Sequence, residues 1–232
     1  VFDNGVTPYL SYTESFQPST GASVDAAQSF KPTEGRQYEA GVKYQPVGSR
    51  SLRTAAVYDL RQSNVKVAEG SLTRQVGEVQ VRGLELEATT QVNDNLKVVG
   101  SYTYTDTETL KGKPDEVGKR MALIPRNQAT LWGDYTWNAG VLDGFGMGAG
   151  VRYVGDTYGN ASNTAVAHVG SYTVYDAAVH YDMGRLGNSL KGMTVAVEAK
   201  NLFNKDYLAN CDGYWCYYGD ERNVVASVNY KF

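Results

Sequence analysis

The feature that most constrains this chain is the alternation of apolar and polar residues, which recurs in ten separate segments of its 232 residues. Successive side chains of a β-strand point to opposite faces of a sheet, so a period of two predicts strands with one apolar and one polar face. Most segments match the roughly 9–11 residues that a tilted strand needs to cross a bilayer. The predicted strands are Pro8–Thr13, Gln37–Tyr44, Ser51–Arg61, Val76–Thr90, Leu96–Thr105, Asn127–Trp137, Phe145–Gly155, Ser171–Asp182, Met193–Phe203 and Arg222–Phe232.

Individual segments show how regular the alternation is and where it fails. In NQATLWGDYTW, polar Thr130 and Asp134 lie on the face opposite an apolar set. That apolar set is Ala129, Leu131, Gly133, Tyr135 and Trp137. In GEVQVRGLELEATT the alternation changes phase near Arg82–Gly83, which predicts a β-bulge at that point.

Composition excludes several classes of protein. The chain is 42% hydrophobic with a mean hydropathy of -0.41, and no stretch reaches 18 consecutive apolar residues, so a transmembrane helix is excluded. The net charge is -3 with no long basic run, so nothing indicates binding to nucleic acid. The 18 tyrosines and 25 glycines suit a β-protein, including a transmembrane β-barrel, whose signal per strand is weak.

Two features favour a membrane barrel over a soluble β-sandwich, which would also alternate. First, aromatic residues lie at the ends of the apolar faces, as membrane–water interfaces select. These residues are Tyr38, Tyr44, Tyr58, Tyr104, Tyr135, Trp137, Tyr153, Tyr181 and Tyr230. Second, short and long connections take turns along the chain, as in outer-membrane barrels. The short ones are 45–50, 91–95, 138–144 and 183–192, and the long ones are 14–36, 62–75, 106–126, 156–170 and 204–221.

The last ten residues, NVVASVNYKF, carry the same pattern to the end of the sequence. Val228, Tyr230 and Phe232 belong to one apolar set, which we predict to face lipid. A terminal phenylalanine with apolar residues at alternate positions also resembles the sorting signal of bacterial outer-membrane proteins. The alternative is an ordinary terminal strand.

The two cysteines, Cys211 and Cys216, lie in the last long connection. In an outward-facing loop of an oxidising compartment, two cysteines most simply form a disulfide. The alternative, a metal site, needs further ligands, and the two histidines, His168 and His180, are not near in sequence. We therefore predict a bridge that fixes the local shape of the loop, and no metal site.

The same connection is rich in aromatic residues, with Tyr214, Trp215, Tyr217 and Tyr218 next to the cysteines. Such side chains offer a large contact area to a ligand at little entropic cost. They are equally compatible with a loop that packs on itself or with rings at the lipid interface. Phe16 and Phe30, in the first long connection, are weaker candidates for ligand contacts, because packing within that connection also accounts for them.

The last long connection begins with NLFNKDY, and its cysteine pair is followed by YYGDER. The first element resembles one that is typical of the TonB-dependent receptors. The second resembles a narrower group of them, the siderophore receptors of the hydroxamate class that take up ferrichrome and ferrioxamine. YLSYTESFQPS, FKPTEGRQYEAGVKYQP, VRGLELEA, VVGSYTYTDTE and VGSYTVYDAAVHYD also resemble that class, so the likeness runs along the whole chain.

The resemblance implies an all-β, antiparallel transmembrane barrel of 22 strands closed by an amino-terminal plug domain. Residues 1–232 then form about ten carboxyl-terminal strands, with the plug outside this chain and the Cys211–Cys216 loop extracellular. The implied ligand is a ferric hydroxamate siderophore, bound without any cofactor, and Tyr214, Trp215, Tyr217 and Tyr218 are its expected contacts here. The implied partners are TonB, the receptor's own plug, outer-membrane lipid and the barrel-assembly machinery, and the implied location is the bacterial outer membrane.

Other functions remain to be weighed against this expectation. The sequence contains neither G-x-S-x-G nor H-E-x-x-H, so we predict no catalytic residues and no enzyme. A passive porin-like or adhesin barrel, or a receptor for another siderophore class, are the alternatives. We expect the charged residues of the polar faces to line a hydrated lumen, with some of them in contact with the plug. They are Glu85, Glu87, Asp134, Arg152, Asp176, His180, Glu198 and Lys200.

Overall fold

The computed structural model describes residues 2–19, 30–69, 72–211 and 215–231. No helix within these ranges is both long and apolar enough to span a membrane. The strands are β1 (Val6–Gln17), β2 (Thr33–Tyr44), β3 (Leu52–Glu69), β4 (Leu72–Gln91), β5 (Leu96–Lys111), β6 (Asn127–Thr136), β7 (Phe145–Val154), β8 (Thr157–Tyr158), β9 (His168–Val169), β10 (Tyr172–Asp182), β11 (Met193–Lys200), β12 (Leu208–Cys211), β13 (Cys216–Tyr218) and β14 (Asn223–Tyr230). Single 3-10 turns cover Gly140–Leu142, Ala165–Ala167, Met183–Arg185 and Asn188–Leu190.

Ten strands form one antiparallel sheet in the order β1-β2-β3-β4-β5-β6-β7-β10-β11-β14. The remaining strands form two small hairpins, β8–β9 and β12–β13, within the connections. Every pair in the large sheet is antiparallel, and neighbours in the sheet follow one another along the chain apart from these hairpins. This is the up-and-down order of a barrel wall, so the predicted all-β antiparallel class is confirmed.

The apolar sets of neighbouring strands line up on one side of the sheet, which we call the outer face. Leu131, Val151 and Tyr175 lie side by side on β6, β7 and β10, and Val195 and Val228 are direct partners on β11 and β14. Leu131 is 53% exposed and Val228 is 65% exposed. Continuous ranks of exposed apolar side chains need an apolar environment, and hydrocarbon supplies one around a barrel.

The opposite side, the inner face, carries the charged residues that the alternation assigned to it. The register places Glu85, Glu87, Asp134, Arg152, Asp176, His180, Glu198 and Lys200 there. Several of them are paired. Arg152 Nε donates to Asp176 Oδ2 over 2.6 Å, and His180 Nε2 lies 3.1 Å from Asp134 Oδ2. The inner face is therefore polar, and Arg152, Asp176, His180 and Asp134 form two pairs on it.

Large rings also lie on the inner face wherever a glycine on the next strand leaves room. A Cβ at Gly150 would approach Trp132 Cε3 to 2.5 Å, and a Cβ at Gly83 would approach Tyr58 Oη to 2.5 Å. The prediction of Tyr58 at the membrane interface is therefore wrong. Its ring occupies the space that Gly83 leaves on the inner face, a relationship between strands that the alternation within one strand does not reveal.

The predicted bulge at Arg82–Gly83 is also wrong. Arg82 pairs with Asp59, and Gly83 with Tyr58, in unbroken register. Near this point the apolar residues of β4 switch from one face of the sheet to the other, because the strand leaves the lipid-facing band there. On the outer face of β4, Arg82 lies two residues before Leu84. Its Nε donates to Asp59 Oδ2 over 3.0 Å. An ion pair in that position marks the edge of the lipid-facing band.

Strands β3 and β4 are longer than predicted, with 18 and 20 residues. At about 3.3 Å per residue, 20 residues reach about 66 Å, well beyond what a tilted bilayer crossing requires. The prediction of a long loop over 62–75 is therefore wrong, because the two strands continue as a hairpin. Beyond the bilayer the two faces no longer differ as lipid and lumen do, and the adjacent residues Val79 and Gln80 are both buried, so the alternation that signals a strand is lost there.

The connections divide the sheet into two ends, as predicted. One end, the turn end, has the short connections 45–51, 92–95, 137–144 and 183–192. The other end, which we call the loop end, has the long connections 18–32, 112–126, 155–171 and 201–222. Strand β3 ends and strand β4 begins at this end, at Glu69 and Leu72. Aromatic pairs lie towards both ends of the outer face. The Tyr12 and Tyr38 rings are 4.9 Å apart, and those of Tyr135 and Trp137 are 4.7 Å apart.

The two faces predict opposite responses to a buried charge. We expect Leu131→Arg to destabilise the intact barrel in a bilayer by about 2–4 kcal/mol, because the guanidinium meets hydrocarbon. Ser101→Arg, one strand away on the inner face and opposite Glu87, should cost less than about 1 kcal/mol. Denaturant unfolding in lipid vesicles measures both, and equal losses would contradict the assignment of the faces.

Candidate functional site

The connection 201–222, between β11 and β14, contains the β12–β13 hairpin. Cys211 and Cys216 are direct partners in this hairpin and are joined by a disulfide. The predicted bridge is thus confirmed, and Cys211, the last residue of β12, is buried. Within the described residues, no group of three or more His, Cys, Asp or Glu side chains is arranged to hold a metal ion.

The hairpin presents aromatic side chains to its surroundings. Trp215 is 71% exposed, Tyr217 53% and Tyr218 77%. The fourth residue of the predicted set, Tyr214, lies outside the described residues. Three large rings within four positions, held on a bridged hairpin at the loop end, form a local aromatic surface that can contact a bulky molecule.

The two other candidates lie elsewhere. Phe16 is on the outer face, in the same set as Leu10 and Tyr12, and pairs with Glu34. Phe30 lies just before β2 and is partly buried, with Lys66 Nζ 4.7 Å from the centre of its ring. Neither residue is brought onto the β12–β13 hairpin, and the ring contact of Phe30 is with Lys66 on β3.

Tyr207 seats the hairpin on the sheet. Its ring lies 4.2 Å from that of Tyr172 on β10, and its carbonyl oxygen accepts a hydrogen bond of 2.8 Å from Gly219 N. A Cβ at Gly219 would approach Tyr207 Cζ to 1.9 Å, so only glycine fits under this ring. The residues NLFNKDY and YYGDER therefore meet in space across the hairpin.

Asn201 ties both sides of the connection together. Its backbone has a φ of +49°, a left-handed conformation that asparagine tolerates better than most residues, and it is 2% exposed. Its side-chain Nδ2 donates to the carbonyl oxygens of Lys205, over 2.9 Å, and Asp220, over 3.0 Å. Its Oδ1 accepts from Lys205 N over 2.8 Å. One amide group thus satisfies three main-chain groups on opposite sides of the connection.

Asn201 is in turn held by the inner face of the sheet. Its main-chain N donates to Asp176 Oδ1 over 2.9 Å, and Asp176 accepts two bonds from Arg152. The alternation predicted Arg152 and Asp176 as lining residues only, and it did not single out Asn201. The available signal was an asparagine at the end of a strand, followed three residues later by Asn204 in NLFNK.

The two neighbouring connections are joined to each other by Arg120. Its Nη1 donates to Asp156 Oδ2 over 3.0 Å, and its main-chain groups bond to the Asn163 side chain. Strand β12 packs on β8 and β9, which belong to the same connection as Asp156. The connections 112–126, 155–171 and 201–222 therefore form one continuous layer at the loop end.

The electrostatics of this layer depend on Arg120. Burial alone raises the pKa of Asp156, but the hydrogen bond and charge of Arg120, with a smaller contribution from His168, outweigh burial and lower it. A hydrogen bond from Ser162 likewise lowers the pKa of Asp115. Both carboxylates therefore stay charged to a lower pH than free aspartate side chains do.

The two faces of the sheet and the layer of loops at one end together define a class of protein. The sheet is an antiparallel meander with an apolar outer face and a charged inner face, and hydrogen-bonded loops lie at one end of it. These features identify it as part of the wall of a transmembrane β-barrel. The chain belongs to the TonB-dependent receptor family, since residues 1–202 match the family model described as TonB dependent receptor-like, beta-barrel. It is a bacterial outer-membrane protein.

Within this family, the chain is similar to curated receptors for ferrichrome and ferrioxamine. The chain is 44% identical over 236 residues to the ferrichrome outer membrane transporter/phage receptor of Escherichia coli, a match that covers 100% of this chain and 31% of the relative. It is 40% identical over 235 residues to the ferrioxamine B receptor of Salmonella typhimurium, covering 100% of this chain and 33% of that protein. The chain thus spans about a third of the length of these relatives, which are named as transporters and receptors.

Solved structures agree with the fold. The siderophore receptor PiuA from Acinetobacter baumannii superposes with a TM-score of 0.81 at 27% identity, over 98% of this chain and 34% of that one. The ferric citrate transporter FecA has a TM-score of 0.80 at 19% identity, over 100% of this chain and 37% of its own, and shows the fold alone.

The Arg120 contact predicts a shift in the titration of Asp156. A lowered pKa stabilises the folded layer above the ordinary carboxyl value of about 4 and loses that contribution as pH falls through the folded-state pKa. We expect Arg120→Gln to raise the pKa of Asp156 and thereby to remove this contribution to the stability of the folded layer. Carboxyl-carbon NMR titration of the labelled receptor measures this. Arg185→Gln, at the turn end, is the matched control, and an unchanged Asp156 titration in Arg120→Gln would refute the assignment.

Proposed function

We propose that the intact protein is an outer-membrane receptor that binds ferric hydroxamate siderophores and imports them with energy delivered through TonB. The observation that carries the proposal is the bridged aromatic hairpin at the loop end, built on Trp215, Tyr217 and Tyr218. Identities of 40–44% to ferrichrome and ferrioxamine receptors over the whole chain support the same ligand class.

The chemistry of such a ligand suits the hairpin. A ferric hydroxamate is compact, and its organic part carries carbonyl and amide groups around the iron. Aromatic walls exclude water from such a complex, while indole N–H and phenol O–H groups donate hydrogen bonds to its oxygens. We assign Trp215, Tyr217 and Tyr218 to this wall together with Tyr214. Phe16 and Phe30 remain candidates of lower rank, because neither lies on the hairpin.

The rest of the barrel follows from the bilayer. Among the described residues, β1 pairs only with β2 and β14 only with β11, so both edges of the sheet have free main-chain groups. Hydrocarbon does not tolerate such edges. We propose that further strands close the sheet into a barrel of 22 strands, and that a plug domain fills its lumen against the charged inner face. TonB would act through that plug, and the loop end would face the exterior.

The end of the chain fits an assembly signal. Val228 and Tyr230 lie on the outer face of β14, while Phe232 lies outside the described residues. We propose that these alternating residues are recognised by the barrel-assembly machinery before the strand meets lipid.

Two alternatives are less well supported. A receptor for another siderophore class is favoured only by weaker similarity, since the metal-pseudopaline and ferric-pyoverdine receptors of Pseudomonas are 30% and 31% identical to this chain. A passive pore would have no need of a bridged aromatic hairpin. We further propose that the protein is not an enzyme.

The proposal predicts selective binding by the intact receptor. We expect calorimetry to detect ferrichrome or ferrioxamine, and Trp215→Ala and Tyr217→Ala each to weaken that binding by roughly 10- to 100-fold through loss of a ring contact. Tyr38→Ala, an exposed ring on the outer face of β2, is the matched control and should bind normally.

Two results would count against the proposal. Binding of a catecholate or cobalamin, with no response to either hydroxamate, would show that the ligand class is wrong. Unchanged affinity in both hairpin variants, with the barrel folded, would show that the hairpin takes no part in binding.

A further inference from the structure

We propose that Asn201 is the positioning residue of the aromatic hairpin, and that it acts from an anchor formed by Arg152 and Asp176 on the barrel wall. The inference rests on the proposed function for the importance of the hairpin, but its mechanical part can be tested without any ligand. It assigns a role to a side chain that touches neither the ligand surface nor lipid.

The first step of the argument is the geometry of the side chain. The carbonyl groups of Lys205 and Asp220 belong to the outgoing and returning arms of the connection, 15 residues apart in sequence. Both accept hydrogen bonds from the single Nδ2 of Asn201. The side chain therefore acts as a clamp that fixes the separation of the two arms below the hairpin.

The second step is burial. At 2% exposure the amide of Asn201 has little access to water, so its polar atoms depend on these three main-chain groups as hydrogen-bond partners. Asn204 continues the clamp, because its Oδ1 accepts from Arg222 N over 2.7 Å. Together the two asparagines close the arms along their whole base.

The third step is the link to the wall. Asp176 lies on β10 and accepts from Arg152 on β7 through Nε, at 2.6 Å, and through Nη2, at 2.9 Å. A carboxylate held by a bidentate guanidinium has a fixed orientation. Its Oδ1 also accepts from Asn201 N, so the orientation of the ion pair is passed directly to the start of the connection.

A contribution to binding follows from these three steps. A hairpin that enters the complex already ordered loses less conformational entropy than a mobile one, and binds more tightly for the same contacts. Asn201 thus supports affinity by restricting the hairpin. The disulfide joins the ends of β12 and β13, and Asn201 fixes where the hairpin stands on the barrel.

The test uses Asn201→Gly in the intact receptor. Glycine keeps the left-handed backbone without strain but removes all three side-chain bonds. Asn64→Gly is the matched control. Asn64 also has a left-handed backbone, with a φ of +59°, and its Nδ2 donates to Pro32 O over 3.1 Å, far from the hairpin in sequence.

The first readout is hydrogen exchange followed by mass spectrometry. We expect exchange across 205–222 to accelerate about tenfold or more in Asn201→Gly, because the arms open. Exchange in β10 and β14 should stay unchanged, and Asn64→Gly should leave 205–222 as in the wild type. Equal exchange across 205–222 in wild type and Asn201→Gly would overturn the proposal whatever the ligand is.

The second readout is TonB-dependent uptake of ferrichrome or ferrioxamine, normalised to folded receptor. A positioning role raises KM by about tenfold with the maximal rate unchanged, since affinity alone is lost. A fall in the maximal rate at constant KM would overturn the positioning role and leave a structural one. If the wild type takes up no hydroxamate, the proposed function fails, and the exchange experiment still decides the role of Asn201.

The anchor is tested by Arg152→Lys, which retains the charge on the inner face but loses the bidentate contact. We expect it to accelerate exchange across 205–222 when made alone and to add nothing in the Asn201→Gly background, because its effect passes through that side chain. Additive effects would exclude the anchor. If Asn201→Gly fails to fold, Asn201→Asp replaces it in each of these experiments. Aspartate retains the acceptor for Lys205 N but lacks the Nδ2 donor to Lys205 O and Asp220 O.

Discussion

Every part of this structure depends on the cost of leaving a main-chain N–H or C=O group unpaired in hydrocarbon, which is several kcal/mol for each group. That cost commits ten strands to one continuous antiparallel ladder in chain order. Once the main chain is committed, alternation leaves each strand one side chain for lipid and the next for the lumen. The exposed ranks through Leu131 and Val228 and the compensated charges around Arg152 and Asp176 are two consequences of the same constraint.

Outside the lipid-facing band, side-chain hydrogen bonds take the place of the main-chain hydrogen bonds of the sheet in holding the chain. Four of the five described non-glycine residues with a left-handed backbone are asparagines, Asn64, Asn163, Asn201 and Asn204, and all four lie at the loop end. Each bonds to main-chain groups of a neighbouring segment. The loops are thus held by short polar side chains together with buried apolar residues such as Ala167 and Val169, and the aromatic rings of the hairpin stay available for contact with a ligand.

The sequence was most informative where the bilayer imposes its period. The strands Asn127–Thr136 and Tyr172–Asp182 were predicted within a residue at each end, because lipid and lumen differ sharply there. The same rule failed at Gly83 and along the distal parts of β3 and β4, where the two faces do not differ as lipid and lumen do. Alternation also says nothing about neighbours in space. It therefore assigned Tyr58 to the wrong place and could not identify Asn201, whose role exists only through Asp176 and the two arms of its loop.

The central claim is that alternate residues of each strand face lipid and lumen. Nitroxide labels at positions 127–136 of the intact receptor in bilayers, with the native disulfide left oxidised, test it most directly. The account predicts that collision with oxygen peaks at 129, 131, 133 and 135, and that collision with a polar nickel complex is low at those positions. A flat profile, or oxygen maxima at 130, 132 and 134, would contradict the account.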